Sequence, residues 1–189
     1  MLFLPAAHSK IREVISRSPI PEDPSHAQNT LDWLLFLWPD SSPALQTAAL
    51  GHDIERAYPN QRVSKSDYAD YDAYKAAHAQ NSARLLASLL VECGCPADFT
   101  DEATRLTARH ESGGDAISDR LNQADSLSYF DNNLSYYFAR KGYEETLVRA
   151  RWGIKRLPQE LYPLVATMTY DDDALNQLVA EVIREASCV

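Results

Sequence analysis

Two prolines in the first quarter of the chain each follow a residue that can cap a helix. Pro24 comes after Asp23, and Pro43 comes after Ser42. Proline has a fixed φ and no backbone N–H, so it suits the first turn of a helix and is excluded from the middle of a sheet. The preceding Asp or Ser can accept a hydrogen bond from the first helical turn, and Ser25 is an alternative cap for the helix near residue 24. These two positions therefore predict helix starts near residues 24 and 43.

Apolar residues recur at helical spacing along nearly the whole chain, and no stretch alternates long enough to predict a strand. With proline and glycine as boundaries, the pattern predicts helices at 8–17, 24–38, 44–57, 68–93, 99–110, 115–140, 143–155, 158–168 and 172–187. The predicted fold class is all-α. We expect a single compact, bundle-like domain over residues 1–189, with its core at about 20–140 and C-terminal helices at 143–189 packed on it.

The charge of the chain limits its partners. Lysine and arginine total 18 and aspartate and glutamate total 27, which gives a net charge of −9. An acidic chain is a poor ligand for a nucleic-acid polymer or an anionic membrane, so we expect neither as a partner. The N-terminus lacks a basic secretory start, and three cysteines agree with a reducing compartment. These features favour a cytoplasmic protein, and the C-terminal helices offer a possible homodimer surface.

Four of the five histidines fall on different predicted helices or at their ends, and aspartates accompany them. The ordered series is His26, His52-Asp53, His78, His110 and Asp125. Helical bundles build metal sites from inward-facing side chains of successive helices. Imidazole and carboxylate donors suit iron, manganese, zinc, nickel or cobalt. Because six donors exceed the needs of one zinc ion, we predict two divalent or transition metal ions.

The series resembles the motif of the HD-domain superfamily of metal-dependent phosphohydrolases over about residues 20–140. The stretches that carry the resemblance are DPSHAQNTLDWLLFLW, LQTAALGHDIERA, YKAAHAQNSARLL, TARHESGGD and LNQADSLSYF. The simple family core consists of His, His-Asp and a late Asp. His78 and His110 resemble the two additional ligands of the two-metal members, which include di-iron enzymes. The glycine-rich extension of the cyclic-dinucleotide branch is absent, and residues 143–189 match no subfamily.

The resemblance also implies a division of the ligands between the two ions. The first ion would be held by His26, His52, Asp53 and Asp125. The second would be held by His78 and His110, with Asp53 bridging both ions.

Two basic residues near these ligands are predicted to bind substrate and to act in catalysis with Asp53. Arg56 lies one helical turn after the His-Asp pair, and Lys75 lies three residues before His78. Residues three or four apart share a helix face, so both side chains are expected to point toward the site. An arginine can also bind phosphate through two parallel hydrogen bonds.

Further charged residues are weaker candidates. Arg62, in a polar loop, and Arg109, next to His110, could bind substrate phosphate. Glu55 and Glu111 could relay a proton, although both positions are more typical of exposed acids.

Three functions are compatible with this sequence. The first is hydrolysis of a small phosphate ester, such as a nucleotide or phosphodiester, by a metal-activated water. The second is an HD-type di-iron oxygenase that cleaves a C–C or C–P bond with O₂, because the same six ligands serve both chemistries. The third is a non-catalytic ligand-binding module, which the presence of all six ligands disfavours.

Overall fold

The computed structural model describes residues 3–188, and these form helices and turns without a strand. The α-helices are α1 (Phe3–Ile15), α2 (Asp23–Leu37), α3 (Pro43–Gly51), α4 (Tyr71–Glu92), α5 (Ala97–Ala108), α6 (Ala116–Ser128), α7 (Leu134–Ile154), α8 (Tyr162–Ala166) and α9 (Asp173–Ser187). Short 3₁₀ segments lie at Ile54–Ala57, Lys65–Asp67 and Gln159–Leu161, and a π-helix lies at Tyr129–Asn133. The all-α prediction is confirmed. Within residues 3–188, no helix combines the length and the apolar character that crossing a bilayer requires.

The chain divides into two compact units, Met1–Ala124 and Asp125–Val189. In the first unit, side chains from six helices meet in one apolar core, which includes the fully buried Ile11, Leu34, Leu50, Leu86, Leu106 and Leu121. Each such side chain contributes about 1.5–3 kcal/mol by leaving water. The prediction that the C-terminal helices at 143–189 pack on the core to form a single domain stays a prediction.

The proline rule places two helix starts correctly. Ser42 caps α3 by accepting a hydrogen bond from the Leu45 amide at 3.2 Å, and Pro43 is the first residue of that helix. Pro24 lies in the first turn of α2. The expectation that Asp23 or Ser25 caps α2 is wrong, because the helix begins at Asp23 itself. The Asp23 carboxylate binds Arg56, and the Ser25 hydroxyl donates to the Glu22 carbonyl.

Helix α3 ends at Gly51, earlier than the predicted residue 57. Its last turn packs tightly on α4, since a Cβ atom at Gly51 would lie 2.9 Å from Leu86 Cδ1. Asp53 has φ −102° and ψ 16°, outside helical geometry, and a 3₁₀ turn follows it. His52 and Asp53 therefore occupy the end of a buried helix and do not lie within one.

In the second unit, the predicted helix at 115–140 is interrupted by the π-helix Tyr129–Asn133. Its wider turn changes the backbone hydrogen bonding, and the Phe130 carbonyl accepts a bond from the Tyr170 hydroxyl at 2.9 Å. The next helix, α7, contains Gly142 with φ 74°, a left-handed conformation suited to glycine. A break at this glycine was predicted. Helix α9 packs on α7, where Arg151 binds Glu185 at 2.7 Å.

Candidate metal centre

Four buried histidines come from four different segments of the first unit. His26 lies in the first turn of α2, His52 follows the last residue of α3, and His78 lies midway along α4. His110 was predicted to end the fifth helix, but α5 ends at Ala108, so His110 lies in the turn beyond it. A buried imidazole is costly unless its nitrogens are bonded, so the partners of these rings are informative.

The four rings form one continuous cluster. The ring centroids are 5.1 Å apart for His26 and His52, 5.1 Å for His52 and His110, and 5.6 Å for His78 and His110. The Nε2 atoms of His26 and His52 lie 3.2 Å apart. The structure thus brings together five of the six predicted ligands, namely the four histidines and Asp53.

Backbone carbonyls determine the tautomer of two of these rings. His52 Nδ1 lies 2.9 Å from the Ala49 carbonyl oxygen, and His110 Nδ1 lies 2.8 Å from the Thr107 carbonyl oxygen. A carbonyl oxygen can only accept a hydrogen bond, so Nδ1 carries the proton in both rings. In the neutral imidazole, Nε2 is then the nitrogen that can bind a metal ion.

Asp53 lies at the centre of the cluster, and each of its oxygens faces two imidazoles. Oδ1 is 2.7 Å from His78 Nε2 and 3.9 Å from His110 Nε2. Oδ2 is 3.5 Å from His52 Nε2 and 3.6 Å from His26 Nε2. One carboxylate oxygen per histidine pair is the arrangement that a carboxylate bridging two ions requires.

The spacing of the donor atoms fits metal coordination. Donors of Asp53, His78 and His110 all lie within 4.8 Å of one another. Two nitrogens at right angles on one ion, each at about 2.1 Å, are separated by about 3 Å. The separation of 3.2 Å between the Nε2 atoms of His26 and His52 is close to that value. These buried groups could therefore hold metal ions.

The environment keeps Asp53 ionised. Burial alone would raise the pKa of this carboxyl group, but Arg56, His52 and His78 together hold it well below its usual range. The largest of these favourable contributions comes from Arg56, whose Nη1 lies 2.8 Å from Asp53 Oδ2. Asp53 is therefore a carboxylate before any cation binds.

The two histidines that face Oδ1 differ in their proton affinity. Burial would lower the pKa of His78, but hydrogen bonds to Asp53 and Glu55 raise it above the ordinary value. Burial lowers the pKa of His110, and nearby Glu111 offsets this effect only in part. Of this pair, His78 is the ring that holds a proton more strongly in the absence of a competing cation.

Glu55 is buried and holds His78 in place, so the expectation of an exposed acid is wrong. Its Oε1 accepts a hydrogen bond from His78 Nδ1 at 3.1 Å and one from the Val63 amide at 3.3 Å. Its Oε2 accepts a bond from Asn81 Nδ2 at 2.7 Å. A carboxylate behind a ligand histidine orients the ring and directs Nε2 toward the metal.

The side chain of Glu111 is also buried, contrary to expectation, and forms an ion pair with Lys75. Their side chains are 5% and 7% exposed, respectively. Glu111 Oε1 lies 3.1 Å from His110 Nε2, so Lys75 reaches the edge of the histidine cluster, as its helical spacing predicted. Asn122, which the sequence reasoning missed, donates hydrogen bonds to the backbone carbonyls of His110 and Glu111 at 2.8 and 3.0 Å. The one sequence signal for this role is the position of Asn122 on α6, about two turns after the start of the helix that follows His110.

Arg56 joins two buried carboxylates. Its Nη1 lies 3.0 Å from Asp23 Oδ1 and 2.8 Å from Asp53 Oδ2. Asp23 also accepts a hydrogen bond from the Ser18 hydroxyl at 2.5 Å. The sequence reasoning missed Asp23, whose helix-start position suggested a cap. Arg56 thus lies at the site as predicted, and its observed contacts orient the carboxylate of Asp53.

The other two predicted substrate-binding residues lie at the surface. Arg62 is exposed in the loop after the first 3₁₀ segment. Arg109 is 46% exposed, and its Nη1 lies 2.7 Å from Asp115 Oδ2. The structure does not bring either side chain into the buried cluster.

Asp125 is the first residue of the second unit and lies on α6. Its Oδ2 lies 2.8 Å from Arg156 Nη2, and both side chains are about one-tenth exposed. Its role as a metal ligand stays a prediction.

Comparison with known proteins places the chain in a family. The search of curated proteins and the search of solved structures returned no match. A family model described as a domain of unknown function (DUF4202) matches residues 5–179. The match spans nearly the whole chain and includes every predicted ligand, and the protein therefore belongs to the DUF4202 family.

Proposed function

We propose that this protein is an HD-type, metal-dependent phosphohydrolase that acts on a small phosphate ester, either a nucleotide or a phosphodiester. The observation that carries the proposal is the position of Asp53, whose Oδ1 faces His78 and whose Oδ2 faces His26 and His52. This arrangement supports two ions with Asp53 between them, drawn from iron, manganese, zinc, nickel and cobalt. Asp125 is proposed as the remaining ligand on the basis of the sequence motif.

The side chains around the cluster have separate roles in such a reaction. When bound, two divalent ions would lower the pKa of a coordinated water, which supplies the nucleophile that attacks phosphorus. Arg56 keeps Asp53 ionised, and Glu55 holds His78 with Nε2 toward Asp53. Lys75, paired with Glu111 beside His110, would place positive charge near the phosphoryl oxygens.

The expected partner is a small phosphorylated molecule. The absence of nucleic-acid and membrane partners, a cytoplasmic location and a possible homodimer stay predictions from the composition of the chain.

The deciding experiment measures metal content, phosphate release and oxygen uptake on the same preparation. The full chain is purified anaerobically, its metals are quantified, and it is assayed against a panel of nucleotides and phosphodiesters. We expect up to two ions per chain and phosphate release without oxygen uptake. Oxygen consumption coupled to substrate loss would reject hydrolysis in favour of the di-iron oxygenase. Bound metal without turnover of either kind would support a binding module.

A substitution of the central carboxylate provides the matching variant. Asp53→Ala removes an oxygen donor from both histidine pairs, so we expect it to lose most of the bound metal and the activity. The matched control is Asp101→Ala, which removes an exposed carboxylate on α5. Metal retained at wild-type stoichiometry in Asp53→Ala would contradict the bridging role.

A further inference from the structure

Four side chains of the second unit stack in a column that ends on Asp125. The guanidinium carbon of Arg149 lies 4.8 Å from the centre of the Tyr129 ring and 4.2 Å from the centre of the Trp152 ring. The guanidinium carbon of Arg156 lies 4.6 Å from the same Trp152 ring. Arg156 Nη2 then donates a hydrogen bond to Asp125 Oδ2 at 2.8 Å. Aromatic rings and guanidinium groups alternate, which is the geometry of favourable cation–π contacts.

The local structure accounts for this column. Arg149 and Trp152 lie three residues apart on α7, so their side chains share one helix face. Arg156 follows four residues after Trp152, just beyond the end of α7. Tyr129 is the first residue of the π-helix and is buried, which places its ring under Arg149. The guanidinium of Arg156 is thus held between the Trp152 ring and the carboxylate of Asp125.

The pairing of Arg156 with Asp125 resembles the pairing of Arg56 with Asp53. In both cases an arginine binds Oδ2 of a carboxylate that the sequence predicts to be a metal ligand. The side chains of Arg156 and Asp125 are 9% and 10% exposed, so solvent screens their attraction only weakly. A carboxylate held through one oxygen has a fixed orientation for the other.

We propose that Arg156 is a positioning residue that orients Asp125 for metal binding. It holds the carboxylate of Asp125 through Oδ2, while the stacked Trp152 ring keeps the guanidinium in place. The inference rests on the proposed function in one respect, namely that Asp125 is a ligand. Groups that orient a ligand from behind typically change metal affinity by about 10- to 100-fold when they are removed.

The test titrates the metal-free full chain with Co²⁺ and records both the dissociation constant and the visible absorption spectrum. Arg156→Met removes the charge and the hydrogen bond, and we expect it to weaken Co²⁺ binding by about tenfold or more. Arg156→Lys restores the charge and should recover part of the affinity. Trp152→Leu leaves both Arg156 and Asp125 in place and should weaken binding by less than Arg156→Met does.

The control is Arg151→Met on the same helix, which removes an ion pair with Glu185 and should leave the Co²⁺ spectrum and affinity unchanged. Circular dichroism identifies any variant that does not fold. If Arg156→Met does not fold, the Co²⁺ affinities of Arg156→Lys and Trp152→Leu are compared with that of the wild type instead. Wild-type affinity in Arg156→Met would overturn the inference, as would wild-type affinity in Asp125→Asn. Absence of Co²⁺ binding by the wild type would overturn it together with the metal site. Normal Co²⁺ binding without phosphoester turnover would reject only the proposed function.

Discussion

At the scale of single residues, the charged side chains around the histidine cluster are arranged in opposed pairs. Arg56 lies between Asp23 and Asp53, and Lys75 lies against Glu111. Removing one member of a buried pair typically costs about 3–5 kcal/mol, because the remaining charge stays uncompensated. A substitution of Lys75 would therefore leave the Glu111 carboxylate without its ion-pair partner, in addition to any effect on substrate binding. Substitutions that keep the shape of the side chain are the better probes of this site.

Glu55→Gln is such a probe. Glutamine keeps the volume of the side chain but lacks the negative charge behind His78, so Nε2 of His78 becomes a weaker ligand for a metal ion. We expect metal affinity to fall by about tenfold with the fold retained. A competition titration with a chromophoric chelator measures the change, and Glu160→Gln, an exposed position, is the control. Equal affinities in the two variants would remove Glu55 from any role in metal binding.

At the scale of elements, helix α3 decides where His52 and Asp53 lie. The helix begins at a Ser42 cap and a first-position proline, and its last residue, Gly51, approaches Leu86 closely. The position of the His-Asp pair is therefore determined at both ends of one short helix.

Ser42→Ala tests the contribution of the cap. Loss of the hydrogen bond to the Leu45 amide should lower the free energy of unfolding by about 1 kcal/mol. For a chain of this size, the corresponding decrease in Tm is about 2–4 °C. Differential scanning calorimetry measures it, with Ser88→Ala on the exposed side of α4 as the control. A Tm equal to that of the control would show that the cap does not stabilise α3.

The sequence could predict much of this framework but not the details that depend on tertiary packing. Pro24 and Pro43 locate helix starts because proline acts locally. The π-helix at Tyr129–Asn133 leaves no periodic signal, so the sequence indicated a continuous helix there. Glu55 and Glu111 looked exposed because their partners, His78 and Lys75, lie far away in the sequence. The burial of an acidic side chain can be recognised only when the position of its partner in the fold is known.

At the scale of the whole molecule, the histidine cluster connects segments that are distant in sequence. Its donors come from the start of α2, the end of α3, the middle of α4 and the turn after α5. An ion bound to donors from all these segments favours the folded chain over the unfolded chain.

Metal should therefore raise the thermal stability of the protein. At a free metal concentration 100 times Kd, the expected stabilisation is about 2.7 kcal/mol, or several degrees in Tm. Thermal scans of the same sample with added Mn²⁺ and with excess chelator measure the shift. Asp53→Ala should show no such difference, and a wild-type Tm that does not respond to either addition would argue against a site formed by these segments.

Arg56 also bears on the state of the protein before any cation binds. Its guanidinium balances the charge of Asp53 inside the first unit, so this buried carboxylate is compensated in the folded chain without a metal ion. If the cluster binds metal as proposed, the chain would be expected to fold while metal is scarce and to take up its ions afterwards. The metal supply would then set the fraction of folded molecules that are active.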